Sequence, residues 1–314
     1  MPMSKRCLYC CGALSTDSDY HVECCRAFFG SATPPELPFY MDEMKALAKN
    51  LISKRVAVPG VQPKLSLSLL NSKKGEPRQR FTIVGSLGGN YILKPPSETY
   101  PELPENEHIT MLMARELGIR VVPSSLIRMG SGELCYITKR VDRNASGTKL
   151  HMLDFYQVTE AYDKYRGSLE KVGKGILLYS SDALLDIQRF FELCVFAFVT
   201  GNNDMHLKNF SLLLSTQGWV LSPAYDLLNV NLALPLDRDD TALTIDGKKR
   251  NLIKATWKKF GIKLGLNAKQ IASVLENMQK AKSKMLNLLD NSFLSETTKD
   301  AYKALLEERL HRLG

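Results

Sequence analysis

Thr200–Leu213 reads TGNNDMHLKNFSLL, with Asn203, Asp204, His206, Lys208 and Asn209 crowded together just after an apolar run, LLDIQRFFELCVFAFV. Downstream, WVLSPAYDLLNV supplies a further carboxylate, Asp226. Two readings compete. In one, the polar residues cap a helix-to-strand turn, as Asn and Asp often do. In the other, they form a metal–phosphate site. Asp204 and Asn209 stand in an Asp-x4-Asn arrangement, and the segments FSLLLS and WVLSP read as a hairpin that returns the chain toward its start. Asp226 can then face Asn209. Mg²⁺ takes oxygen ligands and few carboxylates, completing its shell with water and phosphate oxygens. Asn209 and Asp226 meet that need and leave Asp204 to accept a proton from an attacking hydroxyl. Protein kinases divide labour this way between a catalytic-loop Asp, a nearby Asn and a later metal-binding Asp. His206 reads as an orienting or phosphate-contacting group, and Lys208 as a neutralising cation or a solvated charge.

Phosphates also need cations and backbone donors, and the front half of the chain offers both. Lys94 lies in NYILKPP, inside a strand pattern whose alternation does not call for a lysine, although edge-strand lysines are common. In GVQPKLSL, Gly60 permits close backbone approach and Lys64 follows it. No Gly-Lys-Ser/Thr opens a helix, so this is not a Walker A loop. A hairpin loop over a nucleotide fits better. Glu107, in ENEHITMLMARELG, is either a helix-borne partner for Lys94 or an exposed surface carboxylate.

The rest of the composition sets bounds. The 314 residues suit two lobes, and 44% hydrophobic with 24% charged residues is ordinary for a globular protein. The formal charge of +9, from 42 basic and 33 acidic residues, favours anionic partners. It is spread without a polybasic tail, so direct nucleic-acid binding is not expected. The N-terminus MPMSKRCLYCCG lacks the apolar core of a signal peptide. Phe190–Val199 is too short to span a bilayer and reads as a buried helix. Five of the seven cysteines lie within Cys7–Cys25, which is not the distribution of a secreted disulfide scaffold. A reducing, cytoplasmic environment is expected; the sequence leaves export as an effector open.

Within that cluster, Cys7-x2-Cys10 and His21-x2-Cys24 have the pairing of one tetrahedral, structural Zn²⁺ site, or of reduced thiols around a turn, with Cys11 and Cys25 blurring the count. TPPELPF follows as a stiff connector, and MDEMKALAKNLISKR reads as a helix. Strands are expected in KLSLSLL, RFTIVG, NYILK and across VVPSSLIRMGSGELCYITKR, with a helix at PENEHITMLMARELGI ending on Gly118. After Arg143 the pattern is mostly helical, broken by the strand pair around Phe210–Leu221 and a short strand near Ala242–Ile245. The last helices are expected at Ala268–Leu289 and Glu296–Leu310. The fold class is α+β, with two lobes. Residues 1–38 are a Cys/His-rich module, residues 39–145 a mixed α/β N-lobe, and residues 146–314 a mainly helical C-lobe.

In order along the chain, CLYC…YHVECCRAFFG, GVQPKLSL, YILKPP, ENEHITMLMARELGI, YITKRVDR, NNDMHLKNFSLL and SPAYDLL resemble the HipA-like serine/threonine kinases, toxins of bacterial toxin–antitoxin systems. The chain starts almost at the kinase part, which resembles the short HipT form of three-gene systems. The resemblance implies a two-lobed, protein-kinase-like (HipA-like) fold, with ATP and Mg²⁺ between the lobes. Pro59, Gly60, Val61, Gln62, Pro63 and Lys64 would form the loop over the phosphates, with Lys94 contacting them. Lys139, Arg140 and Val141 would line the hinge. Asp204 would be the catalytic base, with His206, Leu207, Lys208, Asn209, Tyr225 and Asp226 around phosphate and Mg²⁺. It further implies a protein substrate, an aminoacyl-tRNA synthetase, and two antitoxin partners: a small HipS-like protein and a DNA-binding HipB-like protein. Two departures stand out. Ala57-Val58-Pro59 replaces the serines through which the family silences itself, leaving Ser53, Ser66 or Ser68 as substitutes, and Lys139 replaces an acidic hinge residue. The competing classes are a small-molecule kinase of the aminoglycoside-phosphotransferase kind and a basic zinc-binding nucleic-acid protein.

Overall fold

Alternation of apolar and polar residues builds the first sheet. The structure, a computed structural model, describes residues 5–43, 64–70, 79–85, 88–144 and 146–314. Strands β1 (Leu65–Leu70), β2 (Arg80–Val84), β3 (Tyr91–Lys94), β4 (Ser124–Arg128) and β5 (Leu134–Lys139) pair antiparallel in the order β2-β1-β3-β5-β4. Leu65 and Leu67 of β1, Tyr91 and Leu93 of β3, and Cys135 and Ile137 of β5 all enter one buried cluster. Because side chains alternate along a strand, Ser66, Lys94 and Tyr136 fall on the opposite face. Lys94 pairs in register with Tyr136.

The Cys/His-rich segment, set apart as a module in the sequence reading, contributes Cys7, Leu8, Tyr20, Cys25, Phe28 and Phe29 to that same cluster. It also covers an edge. Leu126 on β4 donates its N–H to Leu8 at 3.0 Å, and the Tyr20 hydroxyl reaches the Leu126 carbonyl at 2.6 Å. An edge strand left open invites pairing with other chains, so this cover has a clear physical use. Helix α1 (Val22–Phe29) stops at Gly30, whose φ of 79° lets its N–H return to Arg26.

The chain divides into two units. The first is Met1–Ile109, Val122–Gly147 and Asn291–Phe293; the second is Thr110–Val121, Thr148–Asp290 and Leu294–Gly314. Helix α2 (Leu103–Glu116) gives its first half to one and its second half to the other. The expected helix after residue 40 is described only at residues 41–43; its remainder lies outside the described residues.

In the second unit, β6 (Met152–Asp154), β7 (Ser211–Ser215) and β8 (Gly218–Leu221) form an antiparallel sheet in that order. Asp154 ends β6 and caps α3 (Phe155–Val158) through a capping box with Gln157. Helix α4 (Leu169–Tyr179) and helix α5 (Ala183–Val199) follow. From Phe190 to Val199, α5 is buried at every position except Glu192. A helix apolar on nearly all sides needs neighbours on all sides. Helices α4, α8 (Ala268–Lys280) and α10 (Glu296–Leu313) supply them. Among the described residues no helix is long and apolar enough to cross a membrane. The remaining helices are α6 (Val230–Ala233), α7 (Lys254–Lys263) and α9 (Lys282–Asp290).

Two expectations need correction. The single helix drawn over Ala268–Leu289 is two, α8 and α9, parted at Ala281 with neither Gly nor Pro to announce the break. Ala242–Ile245 is not a strand. It makes isolated bridges, Ser168 with Thr244 and Ile245 with Lys248, and its backbone bonds go to Gly167 and Leu169.

Candidate active site

Helix α5 hands its chain directly to the polar loop. Gly201 makes the turn at φ 72°, and a Cβ there would come within 2.8 Å of Leu305 and 2.9 Å of Asn229. Only glycine fits. Asn202 then reaches across: its amide donates to the Asp226 carbonyl at 3.3 Å, while its side-chain oxygen lies 3.4 Å from the Asp204 N–H. Leu207–Asn209 close a 3₁₀ turn, in which the Asn209 N–H bonds to the His206 carbonyl at 2.9 Å and the His206 N–H to Asn209 Oδ1 at 3.2 Å. That reciprocal pair fixes the Asn209 side chain.

Strands β7 and β8 bring the chain back as the hairpin reading required. The Tyr225 hydroxyl donates to the Lys208 carbonyl at 2.9 Å and shares a 2.5 Å hydrogen bond with Ser211. Burial pushes the Tyr225 phenol up, so it keeps its proton. Asp226 itself sits at φ 56°, a left-handed conformation uncommon outside glycine and often found at functional turns. The Asn202–Asn209 loop and the Tyr225–Asp226 turn are therefore stitched together twice, once by Asn202 and once by Tyr225.

His206 is buried, and burial lowers its pKa; the charge of Asp204 opposes that shift, and Asp226 adds a smaller upward pull. A neutral imidazole results near pH 7. Its Nδ1 is buried without a hydrogen-bond partner. Lys208 is exposed, its ammonium 4.6 Å from the Tyr156 ring centre. Leu207 is buried. Asp204 is half-buried and accepts a hydrogen bond at 2.8 Å from the Tyr165 hydroxyl on Oδ1. Tyr165 and Asn202 were not singled out from sequence. Tyr165 lies far upstream in DKYRG, where no periodicity links it to Asp204; Asn202 stood inside the quoted motif.

In the first unit, Lys94 is buried and its ammonium lies 2.5 and 2.7 Å from the two oxygens of buried Glu107. It also stands 5.3 Å from the centre of the Tyr136 ring. Strand register places Lys94 on the sheet face away from the apolar cluster, and α2 brings the carboxylate to it. Arg140 bonds Asp142 at 2.9 Å and lies 3.5 Å from the Ser66 hydroxyl. The Lys139 ammonium lies 5.7 Å over the Phe28 ring, and burial lowers its pKa. Val141 is half-buried. Lys64 is described at the mouth of β1; Pro59, Gly60, Val61, Gln62 and Pro63, together with Ser53, lie outside the described residues. Ser66 is buried and donates to the Gly88 carbonyl, while Ser68 is half-buried.

The ligand atoms of Cys7, Cys10, His21 and Cys24 all lie within 4.8 Å of one another. Ligands around tetrahedral zinc, with Zn–S of about 2.3 Å, are separated by roughly 3.8 Å. His21 Nδ1 is 3.4 Å from the Cys10 sulfur and 3.7 Å from that of Cys24, and Nε2 donates to the Ala13 carbonyl at 3.0 Å. That outer bond fixes the tautomer, leaving Nδ1 as the lone-pair nitrogen facing the sulfurs. The Cys10 thiol hydrogen-bonds Cys7, pulling Cys7 down to about 4 while raising its own pKa, so a thiolate is already favoured here. Three sulfurs and one oriented imidazole fit a closed zinc site.

A buried strand lysine clamped by a helix glutamate, and an Asp-x4-Asn loop stitched to a hairpin-delivered aspartate, place the chain in the protein-kinase class. The comparisons agree. The HipA-like C-terminal domain family matches residues 56–285, and the chain belongs to that family. It is 28% identical over 310 residues to a Haemophilus influenzae protein named as a kinase, covering 89% of this chain and 88% of that one. To the serine/threonine-protein kinase toxin HipA of Shewanella oneidensis it is 29% identical over 199 residues, 57% of this chain but 44% of the toxin. The fold superposes on Shewanella HipA, solved with HipB and operator DNA, at a TM-score of 0.68 and 21% identity, over 95% of this chain and 80% of the other. The chain is a kinase of HipA type.

Proposed function

We propose that the chain is an ATP- and Mg²⁺-dependent serine/threonine protein kinase acting as the toxin of a toxin–antitoxin system, with an aminoacyl-tRNA synthetase as its target. The observation that carries this reading is the double stitching of the Asn202–Asn209 loop to the Tyr225–Asp226 turn. Asp204 takes the proton of the acceptor hydroxyl as its oxygen attacks the γ-phosphorus and the bond from that phosphorus to the β,γ-bridging oxygen breaks, releasing ADP. Asn209 and Asp226 offer the amide and carboxylate oxygens that suit Mg²⁺, which when bound neutralises phosphate charge. Lys94, oriented by Glu107, contacts the ATP phosphates. In the second unit, His206, Leu207, Lys208 and Tyr225 stand beside Asp204, Asn209 and Asp226 in the chain and serve phosphate binding; in the first, the adenine contacts are assigned to Lys139, Arg140 and Val141.

Cys7, Cys10, His21 and Cys24 hold a structural Zn²⁺ that ties the N-terminal segment into the first unit. A small HipS-like protein and a DNA-binding HipB-like protein serve as antitoxins, in the cytoplasm. The test is a phosphoproteome comparison of cells expressing the wild-type chain or Asp204→Asn. A new phosphoserine or phosphothreonine on a synthetase, present only with the wild type, is expected. Growth arrest without any new phosphoprotein would favour a small-molecule substrate.

A further inference from the structure

Among the described residues, Tyr165 is the one side chain from outside the motif whose polar tip hydrogen-bonds the proposed base. Its mounting is rigid at several points. Its own N–H bonds to the Asp163 carboxylate at 2.9 Å, forming a local turn. The preceding carbonyl, that of Lys164, accepts the Leu207 N–H at 3.1 Å, so this segment holds the loop that carries Asp204. Gly167 lies so close to Leu207 that a Cβ on it would meet the leucine methyl at 3.3 Å. The Tyr165 ring stands edge-on to His206, with centres 5.3 Å apart and planes at 75°, and the Lys164 ammonium lies 4.8 Å over it. From this seat the phenol donates to Asp204 Oδ1 at 2.8 Å. Burial first, and the bond to Asp204 second, raise the Tyr165 pKa, so the group remains a donor across the neutral range.

We infer that Tyr165 is a positioning residue for phosphoryl transfer, fixing the Asp204 carboxylate through Oδ1 so that its other oxygen, Oδ2, receives the acceptor proton. The inference rests on the assignment of Asp204 as base. Asp side chains rotate freely when one oxygen is not held, and a base must lie within hydrogen-bond reach of the proton it removes. A donor pinned by its backbone to the loop of that base meets the requirement at little entropic cost.

The experiment measures label transfer from γ-³²P-ATP to dephosphorylated casein and to proteins of a cell lysate, using the full chain as wild type, Tyr165→Phe, Asp204→Asn and the double variant. Tyr165→Phe is expected to lower the maximal rate about tenfold, the factor that matches one hydrogen bond to a charged group. The KM for ATP and the melting temperature should stay at wild-type values. In the Asp204→Asn background, followed at high enzyme concentration to read the residual rate, Tyr165→Phe should cost nothing further. An unchanged rate for Tyr165→Phe beside an inactive Asp204→Asn would overturn the inference while leaving the kinase reading intact. So would a loss that repeats in full in the double variant, or one that comes with a raised KM and lowered melting. Full activity of Asp204→Asn, by contrast, would remove the base assignment itself and the inference with it.

Discussion

The two units hold their reactive groups by different means. In the first, Lys94 sits on a regular strand and is met by Glu107 from a regular helix, both buried. Sheet register and helix phase set the position, and the charges lock it. In the second, Asp204, Asn209 and Asp226 stand on loops, held by Gly201, Asn202, Tyr165 and Tyr225 through a mesh of hydrogen bonds. The difference teaches where each unit is fragile. One depends on a desolvated ion pair whose loss leaves a stranded charge. The other depends on several bonds of ordinary strength, any one of which can go without collapse.

The largest effect should come from the loop unit but should fall on chemistry rather than stability. Asp204→Asn is expected to cut phosphoryl transfer by roughly 10²–10⁴, the usual contribution of a positioned base, with an unchanged circular-dichroism melt. In the sheet unit the order reverses. Glu107→Ala strands a buried ammonium and should cost about 3–5 kcal/mol, read as a lowered denaturant midpoint, whereas Lys94→Met with Glu107→Leu should melt near the wild type.

The proposed zinc site sharpens the comparison, since its four candidate ligands all lie in the first unit. Metal analysis should find one zinc per chain, and Cys24→Ser or strong chelation should lower the melting of the sheet unit by several degrees. A chain purified without zinc, melting as before under chelation, would contradict it. Tyr225→Phe removes both hydrogen bonds of that hydroxyl, to the Lys208 carbonyl and to Ser211, and should cost about 1–3 kcal/mol in urea unfolding. The smallest expected effect is a slope. Burial raises Glu105 to about 7, so the folded chain keeps a proton that the unfolded chain releases above the ordinary value of 4.5. Its contribution is complete below that lower value and is lost as pH climbs to about 7. Glu105→Gln should flatten the decline of stability over that window, as seen in urea midpoints at successive pH values.

Much of this was legible in the residues, for physical reasons. Alternation in KLSLSLL and YILK marks the strands, and FSLLLS with WVLSP forms the hairpin that precedes Asp226, whose backbone carbonyl accepts from Asn202. Cys-x2-Cys and His-x2-Cys foretold the four convergent ligand atoms. Other features had no local signature. Strand β6 spans only Met152–Asp154, too short for periodicity to register. Helices α8 and α9 separate at an alanine, which carries no stop signal. Tyr165 reaches Asp204 through tertiary folding, so sequence spacing cannot show the pair. Likewise, the Cys/His segment looked independent because its ligands are local. Its apolar residues, however, find their partners on distant strands.

The central claim is that Asn209 and Asp226 of the second unit hold the Mg²⁺ of one bound nucleotide. Calorimetric titration of MgATP into the wild type, Asn209→Ala, Asp226→Asn and the double variant tests it most directly. The account predicts a single site, weakened at least tenfold by either substitution, with losses in the double variant that do not simply multiply. Wild-type affinity in both single variants, or no MgATP binding by the unaltered chain, would contradict it.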